Sequence, residues 1–312
     1  MKILVLGAGA IGSLLGARLS GTGASVFLYS TNRAHMEAIH NDGLQIEELD
    51  GTVSNFKLAA FADLDRIPAS PDLVLVVVKT YDTEAALSSI LGLCSPSTVF
   101  LTLQNGIGNW QRIAGITGKD AVLAGSTAQG ATLVAPGRVR HGGNGPTFIG
   151  ETEGPPSERV QTIVSLLREA RLVADSSDQV EKLIWEKLIV NVGINAITGL
   201  TGIRNGFIAE NRDASQLCGS AVEEAIIVAM AKGFPLGLEM VERVIGVARA
   251  TARNRSSMGQ DVDKKKRTEI DAINGAVVRF GKQAGIPTPV NQTLTWLVKI
   301  LEASYTAPPS EN

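Results

Sequence analysis

Histidine, cysteine, aromatic residues and surplus charge are all scarce in this chain of 312 residues, and each scarcity removes a class of function. Cys94 and Cys218 are too few and too far apart for a disulfide framework or a thiolate metal site, so no metal is expected and a reducing, cytoplasmic setting fits. With 29 basic against 31 acidic residues the net charge is -2, without the broad electropositive face that nucleic acid requires. The lysine run from Lys264 to Lys266 is too short to alter this. No uninterrupted apolar run reaches about eighteen residues, so no membrane span is expected. Aromatic residues make up 4% against 44% hydrophobic residues and 33 glycines, a balance suited to layered helices and strands rather than a β-sandwich.

What is present is length and alternation. A chain of this size exceeds one ordinary core, and two domains are expected. KILVL precedes a helical pattern from Ile11 to Ser20, and SVFLY precedes another from Arg33 to His40. DLVLVVV at 72–78, TVFLTL at 98–103 and AVLAGST at 121–127 continue the βαβ rhythm. GRVRHGG and PTFIG read as a hairpin-like pair, and RLVAD at 171–175 as the last strand. From Ser177 onward the pattern changes: 178–200, 212–233, 237–253 and 266–285 show helical periodicity alone, and the polar tail Ala307 to Asn312 reads as frayed.

The N-terminus has the outline of a signal peptide, but its glycine spacing has a better explanation. Gly7-Ala8-Gly9-Ala10-Ile11-Gly12 follows an apolar strand and opens a helix, the context in which G-x-G-x-x-G binds a dinucleotide. Gly7 serves the tight turn, Gly9 admits the pyrophosphate and Gly12 lets helix approach strand. The expected architecture is therefore α/β: a Rossmann-type doubly wound sheet in residues 1–177, then an all-α domain in 178–312.

The second strand ends in Tyr29-Ser30-Thr31-Asn32-Arg33, with no carboxylate before Glu37 to accept a ribose 2′-OH. Ser30, Thr31 and Arg33 could hold a 2′-phosphate, which favours NADP(H) over NAD(H); the alternative for Arg33 is a solvated first-turn side chain. Lys79 and Asn105 stand at two further strand ends, where an open parallel sheet meets its ligand. Equally, Lys79 suits a strand end entering water, and Asn105-Gly106 is a common turn pair.

A dehydrogenase needs a proton donor for the oxygen that gains charge as hydride arrives. His35, His40 and His141 all precede the helical half, which excludes a histidine acid there and turns attention to a desolvated lysine. WEKLIVNVGINA, at 185–196, carries Lys187, Asn191 and Asn195 at four-residue spacing, one polar stripe on an apolar helix. A snorkelling Lys187 with asparagines packed between helices is the plainer reading. Asn254 to Asp261 has the look of a loop between helices, and Glu269, Asp271 and Asn274 open the helix that follows, where capping would explain Glu269 equally well.

These blocks together resemble the ketopantoate reductases (2-dehydropantoate 2-reductases) of the 6-phosphogluconate-dehydrogenase-like superfamily. The resemblance spans nearly the whole chain and rests on GAGAIG, VKTYDT at 78, LQNGIG at 103, APGRVRH, WEKLIVNVGINAITGLTG at 185 and RNRSSMGQDVDKKKRTEIDAINGAV at 253. It implies that Lys187 protonates the ketone oxygen, that Glu269 lies near it and the nicotinamide, and that Asn191, Asn195, Asn254 and Ser257 bind the 2-keto acid. It further implies that Gly7 to Gly12, Lys79, Asn105 and Ala131 contact NADPH. The chain departs from many relatives in having Thr31 where they have arginine. The activity implied is reduction of 2-dehydropantoate in pantothenate and coenzyme A biosynthesis, with another branched or aromatic 2-keto acid as alternative substrate and a non-catalytic dinucleotide sensor as the minor one. The implied partner is a small 2-keto acid, with a homodimer left open.

Overall fold

The computed structural model describes residues 1–67 and 70–306, so the tail at 307–312 lies outside the described residues. The chain divides into two compact units, one of residues 1–104 and 108–183, the other of 105–107 and 184–312. The division falls inside a helix and later than the 177/178 boundary expected from periodicity, because the first turn of that helix groups with the sheet unit.

The first unit is built on β1 (Lys2–Leu6), β2 (Ser25–Tyr29), β3 (Leu44–Glu47), β4 (Val53–Phe56), β5 (Ala59–Phe61), β6 (Leu73–Val76), β7 (Val99–Thr102), β8 (Val122–Ala135), β9 (Arg138–Glu151) and β10 (Ala174–Ser176). Its sheet runs β4-β3-β9-β8-β7-β6-β1-β2-β5, with β10 also pairing with β9. From β5 to β8 all neighbours are parallel, the doubly wound core. Side chains alternate across it: Ile3, Val5, Leu73 and Leu75 join one core, while Leu4, Leu6, Val74 and Val76 join another. Apolar layers cover both faces, which is why these strands read as unbroken apolar runs. α1 (Ala10–Leu19), α2 (Arg33–Asp42) and α5 (Glu158–Glu169) contribute to the first core; α3 (Thr83–Ile90) and α4 (Asn109–Thr117) contribute to the second.

GRVRHGG and PTFIG are not a hairpin. They are successive parts of β9, which pairs antiparallel with β8. The turn is Pro136-Gly137, where Gly137 has φ +69°; the Gly-rich stretch 142–145 stays extended, its irregularity absorbed by shifts in register. The last strand starts later than RLVAD suggested, since Arg171 turns with φ +60°. The short strands β3, β4 and β5 are too brief to show a clear period in sequence.

The second unit is helical, with no strand among its described residues: α6 (Val180–Thr201), α7 (Gly206–Glu210), α8 (Arg212–Ala231), α9 (Glu239–Ala250), α10 (Ser257–Asp263), α11 (Asn274–Ala284) and α12 (Pro289–Ser304). α6 and α8 are long and apolar enough to cross a membrane, but their Leu188, Ile189, Val192, Ala221, Val222 and Ala225 fill this unit's core. The segment expected as a loop at 254–261 becomes α10 because the Ser256 hydroxyl accepts the Gly259 N–H and caps it. The helix expected over 266–285 is broken into a 3-10 turn at Ile270–Ala272 and α11, with Ile273 at φ -107°, ψ -96° between them.

Gly193 lets α6 pack closely. An added Cβ there would stand 2.8 Å from both Cys218 Sγ and Val244 Cγ1, and 2.9 Å from Val222 Cγ2. Gly193→Ala is therefore expected to destabilise by about 1–3 kcal/mol through overpacking, despite a helix-propensity gain of about 1 kcal/mol. Urea unfolding of the full chain checks this; a midpoint that rises shows that the groove yields.

Candidate active site

In the first unit the glycine loop is tied to the end of β2, where the Tyr29 carbonyl accepts the N–H groups of Gly7 at 3.0 Å and Ala8 at 2.8 Å. Gly7 has φ +104°, and a Cβ on it would lie 2.5 Å from Val78 N. A Cβ on Gly12 would lie 2.4 Å from Gly7 O, so both positions demand glycine. Gly9 differs: the nearest atom to an added Cβ is Gly7 O at 4.0 Å, leaving its outer face open. Gly9 is also the N-cap of α1 and makes no side-chain cap. The amides of Ala10, Ile11 and Gly12 thus lack intrahelical acceptors, as a phosphate cradle requires. These residues fit a dinucleotide.

Beyond β2, Ser30 Oγ accepts the Asn32 N–H at 3.2 Å, Thr31 is exposed, and Asn32 caps α2 by accepting from His35 N. Arg33 is not a lone cation: its two terminal nitrogens donate to the Asp63 carboxylate at 2.8 and 3.2 Å. Lys79 precedes a 3-10 turn at Thr80–Asp82 and is partly buried. Ala131 lies beside a shift in register in β8, opposite His141, and packs against the first core.

Two histidines of this unit, His35 and His141, serve the fold. His35 is fully buried, accepts the Gly137 N–H on Nδ1 at 2.8 Å and has Nε2 at 2.9 Å from Ser13 Oγ; burial lowers its pKa to about 4. The Gly137 bond places the ring proton on Nε2. His141 is buried near the Arg18–Glu48 pair, 3.5 Å from Glu48.

In the second unit α6 carries Lys187, Asn191 and Asn195. Lys187 retains some exposure along its length, but protein atoms crowd its amine, and desolvation lowers its pKa to about 8, with the Glu269 charge opposing part of that shift. Glu269 is 6% exposed and makes no capping bond to the 3-10 turn after it, against the capping explanation. Asn191 Nδ2 is buried without a hydrogen-bond partner. Asn195 is 4% exposed and donates to Ser257 Oγ at 3.5 Å. Asn254 is exposed, and its carbonyl accepts the Asn205 N–H. Asn105 groups with this unit because Gly106, at φ +84°, lies against Ala272, whose carbonyl accepts the Ile107 N–H.

Thus Lys187 feels the charge of Glu269, and Asn195 meets Ser257. The residues that hold them are not conspicuous in sequence. The Ser256 hydroxyl shares a 2.7 Å hydrogen bond with Thr198, and the Arg255 guanidinium bonds to the Thr198 and Ile203 carbonyls and to Asp263. Behind α6, Asn274 donates to the Val192 carbonyl and to Asn291, and Asn291 in turn donates to Glu224. The polar Asn254-Arg255-Ser256-Ser257 run hinted at the first group; the second joins positions on four helices and has no local sign.

Comparison with known proteins places the chain. The family described as ketopantoate reductase PanE/ApbA matches residues 3–154, and its C-terminal counterpart matches residues 179–302. A 2-dehydropantoate 2-reductase of Halobacterium salinarum is 37% identical over 302 residues, covering 97% of this chain and 99% of the relative. That of Pyrococcus horikoshii is 36% identical over 303 residues, covering 97% and 98%. Among solved structures, a PanE/ApbA family ketopantoate reductase from Ralstonia eutropha superposes with a TM-score of 0.90 at 30% identity, covering 98% of this chain and all (100%) of that one. D-mandelate dehydrogenase with NADH and anilino(oxo)acetate gives 0.91 at 29% identity, with 98% and 100% covered. Two family matches that together span both units, and relatives aligned over their full length, establish that this chain belongs to the ketopantoate reductase family.

Proposed function

We propose that the chain reduces 2-dehydropantoate to pantoate with NADPH, a step of pantothenate and coenzyme A biosynthesis carried out in the cytoplasm. One observation carries the reading: an amine on an apolar helix, lowered to about 8 by burial and set beside a buried carboxylate, one turn from an amide donor that no protein group satisfies. A structural seam would satisfy its own donors. A substrate site keeps one in reserve.

The nicotinamide dinucleotide, when bound, supplies the hydride. Gly7, Ala8, Gly9, Ala10, Ile11 and Gly12 would hold its pyrophosphate, Ser30, Thr31 and Arg33 its adenosine ribose, and Lys79, Asn105, Ala131 and Glu269 further parts of it. Lys187, as ammonium, donates a hydrogen bond to the ketone oxygen and then passes its proton to the emerging alkoxide. Glu269 favours the protonated amine before the reaction. Asn191 Nδ2 offers its unmet hydrogens to a keto-acid oxygen. Asn195, Asn254 and Ser257 fix the carboxylate and hydroxyl, so the reacting carbon is held rather than encountered.

A second reading, reduction of another branched or aromatic 2-keto acid, is favoured by the likeness to D-mandelate dehydrogenase. Following cofactor absorbance with 2-dehydropantoate beside a panel of 2-keto acids separates the two readings. Failure to oxidise NADPH or NADH with any of them refutes both.

Lys187→Ala should lower kcat about 100- to 10,000-fold, the usual contribution of a positioned acid. The sign of the pH dependence follows from the donor's charge. Lys187 is ammonium below its lowered pKa and neutral above it, so kcat/KM for reduction should decline as pH rises through about 8. A flat profile from pH 6 to 10, or full activity in the variant, removes Lys187 from the mechanism.

Asn191→Leu separates a ligand-facing amide from a structural one. Activity should fall about 10- to 100-fold for a lost hydrogen bond to a charged or developing-charge oxygen, while thermal stability holds or rises, since a buried donor without a partner is removed. A lower Tm with unchanged kcat/KM reverses the assignment.

A further inference from the structure

The second strand lacks the carboxylate that an NAD site ordinarily presents, yet the fold supplies one from elsewhere. β5 lies outside β2 in parallel register, with Phe61 opposite Tyr29. The Ser30 N–H continues the ladder to the Phe61 carbonyl at 3.3 Å. Asp63 is therefore two residues beyond one strand end just as Thr31 is two residues beyond its neighbour. From there Asp63 reaches the first turn of α2 and takes Arg33 in a two-pronged ion pair at 2.8 and 3.2 Å. Both side chains remain open to solvent, Arg33 at 62% and Asp63 at 48%.

That pairing uses the same guanidinium face that a 2′-phosphate would take. An exposed ion pair is weakly held and exchanges partners readily. A phosphate arriving at Arg33 must displace the Asp63 carboxylate and then tolerate it as a like charge. A 2′-hydroxyl faces no such conflict, because it donates a hydrogen bond that a carboxylate accepts. The Arg33 bond holds Asp63 in its ionised form, its pKa below the usual carboxylate value.

We infer that Asp63 is a specificity-determining residue of the dinucleotide site, competing with the 2′-phosphate for Arg33 and so admitting NADH alongside NADPH. This rests on the dinucleotide reading above but extends it, because Arg33 alone would favour only the phosphorylated cofactor. The opposite role for the same geometry is Asp63 holding Arg33 ready for a phosphate. The two roles differ in sign.

The test is a pair of binary titrations on the full chain without keto acid, following protein fluorescence as NADPH or NADH is added, at low and at moderate salt. Asp63→Asn keeps size and exposure while removing charge, and should raise the ratio of NADPH to NADH affinity about tenfold, the worth of one charge-assisted hydrogen bond. Asp63→Glu, which keeps the charge, should stay near wild type, and Arg33→Gln should weaken NADPH more than NADH. The gain in Asp63→Asn should shrink as salt screens the exposed charges. An unchanged ratio in Asp63→Asn, or weaker NADPH binding, overturns the inference while leaving the proposed reductase standing. Absence of binding by either cofactor overturns the dinucleotide reading and this inference with it.

Discussion

The cost of keeping a cation inside an apolar helix governs the second unit. Lys187 belongs to a helix that packs one face into a hydrophobic core, and its amine has exchanged water for protein atoms. Such a group persists only where the loss is partly offset, and Glu269 provides the offset without removing the shift. Burial favours the neutral amine, and the Glu269 charge favours the ammonium form. Glu269 is itself buried. A 3-10 turn follows Glu269 directly and interrupts the helix expected around 266–285.

Two polar assemblies hold α6 in register. Arg255, Ser256 and Thr198 secure the start of α10 and thereby Ser257 beside Asn195. Asn274, Asn291 and Glu224 secure the opposite side through the Val192 carbonyl, one residue from Asn191. Apolar packing alone tolerates small slips of a helix along its axis. Hydrogen bonds to one particular carbonyl do not, so the polar stripe keeps its address.

The legible parts of the molecule were those whose meaning is local. GAGAIG works through neighbours within a few residues, and the stripe of Lys187, Asn191 and Asn195 follows from helix period alone. Glu269 was visible as a charge but not as a partner of Lys187, since nothing in a one-dimensional reading brings 187 and 269 together; family resemblance supplied that link. Asp63 was missed for a related reason: it reaches Arg33 through the pairing of β2 with β5, and β5 is only three residues long. The glycine-rich part of β9 departs from the expected hairpin for a different reason. Gly142, Gly143 and Gly145 look like turn residues, yet in β9 they run extended opposite β8, where a Cβ at Gly145 would collide with Ala128.

The long pair of β8 and β9, fourteen residues each, carries a consequence for how the chain is assembled. β3 and β4 emerge early in synthesis, but their place in the sheet is beside β9, which arrives some ninety positions later. Until then that early hairpin has no neighbour on the Leu44–Glu47 side, and its open edge must wait through the making of β5, β6, β7 and β8. The parallel core from β5 to β7 has all its strands in the meantime, whereas the β3–β9 pairing joins residues far apart in sequence. The nascent protein thus has a vulnerable interval set by topology, ending when Arg138 to Arg140 come alongside Gln45 to Glu47.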